Sequence, residues 1–354
     1  MIIKAEKIVL NTTIISGSIE FDDNGIITAV NKGSTNNGLI LVPGFVDTHT
    51  HGIAGRDFSI SAEDVIEDYV KHGVTTYIPT AVSLSREGLR KFCSQMASSK
   101  SNVFNLEGPY ISASKRGAHA LSNLRKPDIR EVVECMKLSK NKLAVITVAP
   151  EIAMEVIPEL IKMGIIVSIG HTDADFPVSE LAYLSGATRT THIFNAMRTF
   201  HHRDPGVIIA SLLYSNFIEV IPDFFHVDQQ IIKYLIQNHW RRLVAITDSI
   251  SATDLGDGEY SLGDEKVFVK GGKAKLKDGT IAGSTLTMDK AFRNVLELTD
   301  LLTTSSIVSY NPAKSINLND RGELGIGKRA DLVVLDSHYT LKEVYAEGKL
   351  LFQH

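Results

Sequence analysis

The amino-acid sequence predicts an α/β fold, a (β/α)8 TIM-like barrel with a small β-sandwich domain built from both chain ends. Three observations support this fold class. Apolar strand-like runs alternate with helical patterns eight times through the middle of the chain. Both chain ends carry short runs rich in β-branched residues. The 354 residues are also enough for a barrel of about 250 residues plus a smaller module.

The two chain ends predict the small domain. The N-terminal runs IIKAEKIVL and TIISGSIEF are followed by turn-forming segments rich in Gly, Asn and Asp, and the C-terminal runs ADLVVLD and LKEVYAEGKLLF follow a loop rich in Gly and Arg. One β module assembled from both ends explains this symmetry. We therefore predict that residues 1–41 and 309–354 form the small domain and that residues 42–308 form the barrel.

Each strand candidate of the barrel precedes a helix candidate. The strand candidates are GFVDTHTHG, TTYIPTAV, VFNLEGPYI, LAVITVAPE, IIVSIGHT, ATRTTHIFNAM, FIEVIPDFFHV and RRLVAITDS. The helix candidates are AEDVIEDYVKHG, REGLRKFCSQMAS, DIREVVECMKLS, MEVIPELIKMG, PVSELAYLSG, VIIASLLYS, QQIIKYLIQNH and TMDKAFRNVLELT, and a Gly-rich hairpin-like insertion at 256–283 precedes the last one. Strands that alternate with helices pair in parallel, and eight such units favour closure into a barrel. A doubly wound open sheet is the alternative, although it more often has five or six strands.

The composition is that of an ordinary globular protein, with 44% hydrophobic and 22% charged residues, and excludes a disordered chain, a collagen and a coiled coil. The formal net charge of -4 provides no broad basic surface, so we expect no nucleic acid and no membrane as partner. Cys93 and Cys135 are the only cysteines, which predicts no disulfide framework and a reducing compartment. Because the N-terminus has no clean apolar core and no apolar run reaches about 18 residues, we expect a cytoplasmic protein.

Polar residues suited to metal binding lie at the ends of the predicted strands, where the active sites of such barrels are found. His49 and His51 end the first strand, and the period of two in a strand directs both side chains to the same face, towards the barrel mouth. The later strand ends carry Glu107, His171, His192, His226 and Asp248. A single histidine beside a strand is usually a packing residue, but imidazoles and carboxylates that converge on one mouth favour a divalent metal such as zinc, iron, manganese or cobalt.

Several segments resemble the amidohydrolase superfamily and, within it, the N-acetylglucosamine-6-phosphate deacetylases. PGFVDTHTHG is typical of the whole superfamily, whereas more specific segments occur in the order NLEGPYIS, KRGAH, GHTDA, THIFNAM with RDPG after it, ITDS and DGTIAGSTLTM. The resemblance covers nearly the whole chain. The strand-four segment TVAPE contains no lysine, so the bridging carboxylated lysine of other superfamily members is absent, which supports this branch.

The resemblance implies a metal-dependent hydrolase with one or two divalent ions per chain. The ligands that it implies are Glu107, His171 and His192 for the main ion, and His49 and His51 for a second ion bridged by the same glutamate. Asp248 resembles the family's catalytic acid, which takes a proton from the attacking water and passes it to the leaving amine. The implied reaction removes acetate from N-acetylglucosamine 6-phosphate in amino-sugar catabolism or cell-wall sugar recycling.

The same resemblance implies a substrate site and a partner. The residues that match the family's substrate contacts are Ala118, His119, Asn195, Ala196, Arg203, His226, Ile281, Ala282 and Gly283. Arg203 matches the phosphate arginine, since a guanidinium grips phosphate with two parallel hydrogen bonds. The backbone at Asn195 and Ala196 is expected to offer N–H groups to an anion. Family members are commonly dimers, so we expect a homodimer in which the neighbouring subunit supplies part of the phosphate pocket.

One position departs from the family pattern. Phe224 stands where the family usually has a glycine, two residues before His226, so the loop near the sugar is expected to have a different shape. Three alternatives stay open: the galactosamine epimer of the substrate, another amide or cyclic-amide substrate of the superfamily, and a non-catalytic scaffold with the same fold. The scaffold alternative predicts missing metal ligands, whereas this sequence retains them.

Overall fold

The computed structural model describes residues 1–61 and 64–354, and the chain starts in the small domain. Its first strands are β1 (Ile2–Val9), β2 (Ile14–Phe21), β3 (Ile27–Lys32) and β4 (Ile40–Pro43). β2 pairs antiparallel with both β1 and β3, and β4 runs parallel to β1 on its other side. Buried and exposed positions alternate along part of β1 and β2, which is typical of strands that cover a core with one face.

The barrel strands follow in chain order. β5 (Phe45–Thr50) comes first, and a short hairpin of β6 (Gly52–Ile53) and β7 (Arg56–Asp57) follows it. The later barrel strands are β8 (Val74–Ala81), β9 (Phe104–Glu107), β10 (Leu143–Val148), β11 (Ile166–Ile169), β12 (Arg189–Thr190), β13 (Phe217–Val220) and β14 (Leu243–Ala245). Within the described ranges, β5 and β8 to β14 form one eight-stranded parallel sheet in which each strand pairs with the next.

The two edges of this sheet meet just beyond the ends of β14 and β5. The Asp248 N–H donates to the His49 carbonyl oxygen at 2.9 Å, and the His51 N–H donates to the Ser249 carbonyl oxygen at 2.7 Å. The sheet is therefore a nearly closed barrel, which confirms the predicted TIM-like architecture over the open sheet. Closure also brings together the ends of the first and last strands, which carry predicted site residues.

Helices connect the barrel strands. Over the described residues they are α1 (Ile66–Val70), α2 (Arg86–Met96), α3 (Ile129–Leu138), α4 (Pro150–Ala153), α5 (Ile157–Lys162), α6 (Phe176–Leu184), α7 (Gly206–Tyr214), α8 (Gln229–His239), α9 (Met288–Leu296), α10 (Leu301–Ser305) and α11 (Asn311–Ser315). The helix predicted over 62–73 is observed as the short α1, and its first two positions, Ala62 and Glu63, lie outside the described residues. In the part of the chain that the structure describes, no helix is both long and apolar enough to cross a membrane.

The insertion predicted at 256–283 forms a small antiparallel sheet of β15 (Gly258–Leu262), β16 (Glu265–Lys270) and β17 (Lys273–Lys275). Its apolar residues pack against Val82, Ala118 and Ile250, which lie in loops that follow barrel strands. Leu262 of β15 also lines the cavity at the barrel mouth. The insertion therefore forms one wall of the candidate site.

The last strands complete the small domain. They are β18 (Leu332–Leu335), β19 (Leu341–Ala346) and β20 (Lys349–Gln353). β18 pairs antiparallel with β4, so the described strands form one sheet in the order β20-β19-β18-β4-β1-β2-β3. The Ile27 N–H donates to the Lys328 carbonyl oxygen at 2.8 Å, which folds the sheet around an apolar cluster of its own. Both chain ends thus build one β module, while the exact boundaries after residues 41 and 308 stay a prediction.

Two neighbouring barrel helices are joined covalently. Cys93 in α2 and Cys135 in α3 form a disulfide, with their Cα atoms 5.6 Å apart. This pair corrects the expectation of no disulfide framework to a single bridge. A count of two cysteines does not reveal that the helices carrying them pack side by side, since that contact arises only when the barrel forms.

Candidate metal centre and active site

A cavity of about 260 Å³ lies at the barrel mouth, at the C-terminal ends of the strands. Its walls include the predicted metal ligands Glu107, His171, His192 and His51, and also Asp248. The predicted ligand His49 is fully buried behind this surface. Val82, Gly117, Leu262 and Thr280 also line the cavity, and the sequence did not single them out.

Glu107, His171 and His192 form one of two groups of potential metal ligands among the described residues. Glu107 Oε1 lies 2.9 Å from His171 Nε2 and 2.7 Å from His192 Nε2, and these two ring nitrogens are 3.2 Å apart. All three side chains are almost fully buried. The structure thus brings together the residues predicted for the main ion.

His49, His51 and Asp248 form the other group. Asp248 Oδ1 lies 3.1 Å from His51 Nε2 and 3.5 Å from His49 Nε2. Glu107 also reaches this group, because its Oε2 lies 3.2 Å from His51 Nε2 and its Oε1 lies 3.6 Å from His49 Nε2. Glu107 therefore lies between the two groups, in a position suited to a carboxylate that bridges two ions.

The hydrogen bonds around the histidines show that these groups suit cations. His51 Nδ1 lies 3.0 Å from the Thr80 carbonyl oxygen, and His171 Nδ1 lies 2.8 Å from the Lys115 carbonyl oxygen. Because a carbonyl oxygen only accepts, each Nδ1 carries a hydrogen, which leaves Nε2, the nitrogen that faces carboxylate oxygens, as the one that can bind a metal. Acceptors that face one another need a cation between them. The residues present therefore fit a divalent metal ion.

The carboxylates create a negative field at this centre. Burial lowers the pKa of His51, but Asp248 and Glu107 raise it to about 9. Burial raises the pKa of Glu107, yet nearby histidines, chiefly His171, hold it well below its usual range. Burial also raises the pKa of Asp248, and the hydrogen bond with His51 brings it below its usual value. The negative field that favours a proton on His51 also favours a metal cation, and both carboxylates are ionised at neutral pH.

Three of these side chains lie on strained backbone. His171, His192 and Asp248 have φ angles of 48°, 24° and 51°, in the left-handed region that residues other than glycine rarely adopt. Each residue in such a conformation costs about 1–3 kcal/mol of folding free energy, and such residues cluster at functional sites. The three residues follow β11, β12 and β14 within a few positions, and all three line the mouth cavity.

His119 contacts Glu107 from the loop after β9. Its Nδ1 accepts the Ser83 N–H at 3.0 Å, so Nε2 carries the hydrogen and donates to Glu107 Oε2 at 3.1 Å. Burial lowers the pKa of His119 to about 4, so the ring is neutral at physiological pH. The neighbouring Ala118 also lines the cavity. His119 therefore presents an N–H donor beside the metal-ligand groups.

Most of the other predicted substrate residues line the same cavity, namely Asn195, Ala196, His226, Ile281 and Gly283. His226 Nδ1 lies 2.6 Å from Asp223 Oδ2, and its buried Nε2 has no hydrogen-bond partner among the described residues. Phe224 has a φ of 61°, so it keeps a left-handed conformation that a glycine adopts without strain. The loop before His226 therefore carries a bulky side chain on backbone that favours glycine.

Two predicted substrate contacts, Arg203 and Ala282, do not line this cavity in the described chain, and the N–H of a third, Asn195, is used within the chain. Arg203 is exposed, with its Nη1 2.8 Å from His202 Nε2, and it lies outside the cavity wall. Ala282 is fully buried against the insertion, where its N–H donates to the Ala274 carbonyl oxygen at 3.1 Å. The Asn195 N–H donates to the His192 carbonyl oxygen at 3.1 Å, whereas the Ala196 N–H has no hydrogen-bond partner within the described chain.

Two charged residues inside the barrel escaped the sequence analysis. Arg189 in β12 and Glu219 in β13 are fully buried and contact each other, and Glu219 also contacts His49. The available signal was a charged residue inside each of two predicted strands, in ATRTTH and FIEV. The sequence alone could not show that the two charges pair or that they face a metal ligand.

Comparison with known proteins gives consistent matches along the chain. The pattern of the Amidohydrolase family matches residues 40–351. The chain is 34% identical over 335 residues to N-acetylglucosamine-6-phosphate deacetylase of Lysinibacillus sphaericus, covering 89% of this chain and 86% of that protein. It is 33% identical over 329 residues to N-acetylgalactosamine-6-phosphate deacetylase of Escherichia coli O157:H7, covering 88% of this chain and 87% of that protein.

Solved structures agree with the fold over its whole length. N-acetylglucosamine-6-phosphate deacetylase of Thermotoga maritima superposes with a TM-score of 0.92 and 34% identity, covering 100% of both chains. A mutant of the Mycobacterium smegmatis deacetylase, in complex with N-acetyl-D-glucosamine-6-phosphate, superposes with a TM-score of 0.93 and 31% identity, covering 100% of this chain and 99% of that chain.

Proposed function

Because the chain belongs to the amidohydrolase family, we propose that it hydrolyses the acetamide of N-acetylglucosamine 6-phosphate to glucosamine 6-phosphate and acetate. The observation that carries this proposal is Glu107, which lies between two groups of metal ligands in the mouth cavity, with Asp248 beside it. The similarity to named deacetylases along nearly the whole chain supports the substrate. Such a reaction belongs to amino-sugar catabolism or cell-wall sugar recycling.

The metal centre is proposed to hold one or two divalent ions of zinc, iron, manganese or cobalt. Glu107, His171 and His192 would hold the main ion, and His49 and His51 a second ion that shares Glu107. A divalent ion at this centre polarises an amide carbonyl and lowers the pKa of water from 15.7 towards about 7. Imidazole and carboxylate ligands accept several of these metals, so cellular supply decides which one is bound.

Asp248 is proposed as the catalytic acid and base. Its carboxylate is ionised at neutral pH and lies in the cavity wall. It would take a proton from the attacking water and return that proton to the amine nitrogen as the C–N bond breaks. Proton return matters because an unprotonated amine is a poor leaving group. The buried, neutral His119, whose Nε2 hydrogen is donated to Glu107, would help to orient the acetyl group or the sugar.

The phosphate is proposed to bind near His226 and the Ala196 N–H. The buried Nε2 of His226 and this unpaired N–H both lie at the cavity wall in the described chain. Arg203 of the same chain is exposed outside that wall, which suits an arginine that reaches the site of a neighbouring subunit.

We therefore propose a homodimer. Exposed apolar side chains on α6 and α7, Leu181, Leu184 and Leu213, lie on neighbouring helices and offer a surface for a second copy, and Phe200 is exposed in the loop that carries Arg203. We also propose a cytoplasmic location, because a charged sugar phosphate does not cross a lipid bilayer unaided.

The experiment that tests the function is acetate release from N-acetylglucosamine 6-phosphate, beside the unphosphorylated sugar and the galactosamine epimer, with metal content measured on the same preparation. Rapid release from the phosphorylated glucosamine substrate alone is the expected result. Preference for the epimer would favour the second candidate, which the similarity to the Escherichia coli O157:H7 protein supports. Metal-loaded protein that is inert on all three sugars would refute the substrate, and the Phe224 loop would be the first place to look for the reason.

A further inference from the structure

A buried ion pair lies inside the barrel, next to the metal-ligand groups. Arg189 of β12 and Glu219 of β13 contact each other directly, with side chains 0% and 1% exposed. Arg189 also donates to Ser315 Oγ at 2.9 Å and to Thr48 Oγ1 at 3.1 Å. Transfer of two charges from water to a protein interior costs several kcal/mol per ion, so a buried pair of this kind is weak evidence for a role in stability.

The other oxygen of Glu219 faces a predicted metal ligand. Glu219 Oε2 lies 3.0 Å from His49 Nδ1 and also accepts the backbone N–H of His192 at 3.2 Å. A carboxylate paired with a guanidinium accepts hydrogen bonds and donates none. The hydrogen between Glu219 and His49 therefore belongs to His49 Nδ1.

This hydrogen determines what the other nitrogen of His49 offers. With Nδ1 protonated, the neutral ring presents a lone pair at Nε2, which lies 3.6 Å from Glu107 and 3.5 Å from Asp248. Nε2 has no hydrogen-bond partner in the described part of the chain. In the opposite tautomer, Nε2 carries the hydrogen and cannot bind a metal.

His49 differs in this respect from its neighbours in the centre. The tautomers of His51 and His171 are set by the backbone carbonyls of Thr80 and Lys115, which no side-chain substitution removes. The tautomer of His49 depends on a side chain, Glu219, which is itself held by Arg189. A substitution at Glu219 therefore acts directly on the ring of one ligand of the second ion, whereas its hydrogen bond to a main-ion ligand is to the backbone N–H of His192.

We infer that Glu219, held by Arg189, is a positioning residue of the second metal site: it fixes the ring and tautomer of His49 and so decides whether the centre binds two divalent ions or one. The inference rests on the proposed function in one respect, the presence of divalent ions at this centre. Loss of a partner that orients a metal-binding histidine typically weakens metal affinity about 10- to 100-fold.

The test is metal stoichiometry and affinity, measured without substrate. Wild type, His49→Gln, Glu219→Gln and Asp289→Asn are equilibrated with Zn²⁺, assayed for metal per chain by mass spectrometry, and titrated with a chelator. Asp289 is the matched control, since its Oδ1 lies 3.0 Å from Nδ1 of a histidine outside the cavity, His72. We expect two ions in wild type and Asp289→Asn and one in His49→Gln. In Glu219→Gln, we expect one tightly bound ion and a second ion bound about 10- to 100-fold more weakly.

A second variant keeps the test valid if Glu219→Gln fails to fold because Arg189 loses its partner. The double variant Arg189→Met/Glu219→Gln removes both charges together, and we expect the same weakening of the binding of the second ion, by about 10- to 100-fold. Two tightly bound ions in either folded Glu219 variant would overturn the inference, and so would a single ion in wild type. Because no sugar enters this experiment, inert protein in the acetate assay would refute the proposed substrate and leave the metal result unaffected.

Discussion

Replacement of His72 by glutamine is expected to destabilise the protein at pH 6 and to have little effect at pH 9.5. His72 lies between α1 and β8 and joins two distant segments. Its Nε2 lies 2.6 Å from Asp254 Oδ2, in the loop after β14, and its Nδ1 lies 3.0 Å from Asp289 Oδ1, in the first turn of α9. The loop with Asp254 begins at the barrel closure beside Asp248, so His72 also anchors a segment next to the site.

The pH window follows from the pKa of His72 in the folded protein. Burial lowers this pKa, but the carboxylates of Asp254 and Asp289 raise it from 6.5 to about 9. A group with a raised pKa in the folded state contributes its full stabilisation below the unfolded value and loses it as the pH rises through the folded value. The contribution of His72 is therefore complete near pH 6 and absent above pH 9.

The magnitude follows from the same shift. At 1.36 kcal/mol per pH unit, a rise from 6.5 to about 9 corresponds to about 3 kcal/mol. The side chains of His72 and Asp254 are 17% and 34% exposed, so solvent screening reduces this to about 2 kcal/mol. With an unfolding entropy of about 2.1 cal/mol/K per residue, the loss lowers the Tm of a 354-residue chain by about 3 °C.

Thermal unfolding of wild type and His72→Gln, followed by circular dichroism at pH 6, 7.5 and 9.5, measures this effect. The exposed His338 provides the control variant His338→Gln, which should unfold like wild type at every pH. We expect a Tm difference of about 3 °C at pH 6 that disappears by pH 9.5. A difference that stays constant across this range would refute the electrostatic explanation and leave only lost packing.

Three further predictions concern the site and the fold. Asp248→Asn should lower kcat for acetate release by about 10²- to 10⁴-fold with a much smaller change in KM, because the asparagine side chain cannot take up a proton from water. Steady-state kinetics, together with metal analysis of the same variant, measure this effect. Arg203→Ala should raise KM for N-acetylglucosamine 6-phosphate about 10- to 100-fold, as expected for a lost charged hydrogen bond, and equal effects on the unphosphorylated sugar would contradict a phosphate contact. Cys93 and Cys135, which form the disulfide, are separated by 42 positions, and reduction of this bridge should lower Tm by about 3–5 °C. A colorimetric assay should detect the two released thiols. An unchanged Tm would show that the bridge contributes nothing to stability.

By itself, the sequence determined the barrel and the type of chemistry at its mouth. Alternation of strand and helix patterns predicted the parallel sheet, and the period of two placed His49 and His51 on one face of β5. The positions of Glu107, His171 and Asp248 at or near strand ends placed them at the same mouth. These features are local, because the face and the end of a strand on which a residue lies can be read from its near neighbours.

Only the tertiary structure decided which side chains meet. His49 and Glu219 are 170 positions apart, and their contact depends on closure of the barrel between its first and last strands. The disulfide between α2 and α3 also depends on the tertiary structure, because it requires the two helices to pack side by side. The exposed position of Arg203 could likewise not be read from the sequence around it. Strand order and register set the distance between atoms on different strands, and so the tautomer of each buried histidine is a property of the closed barrel.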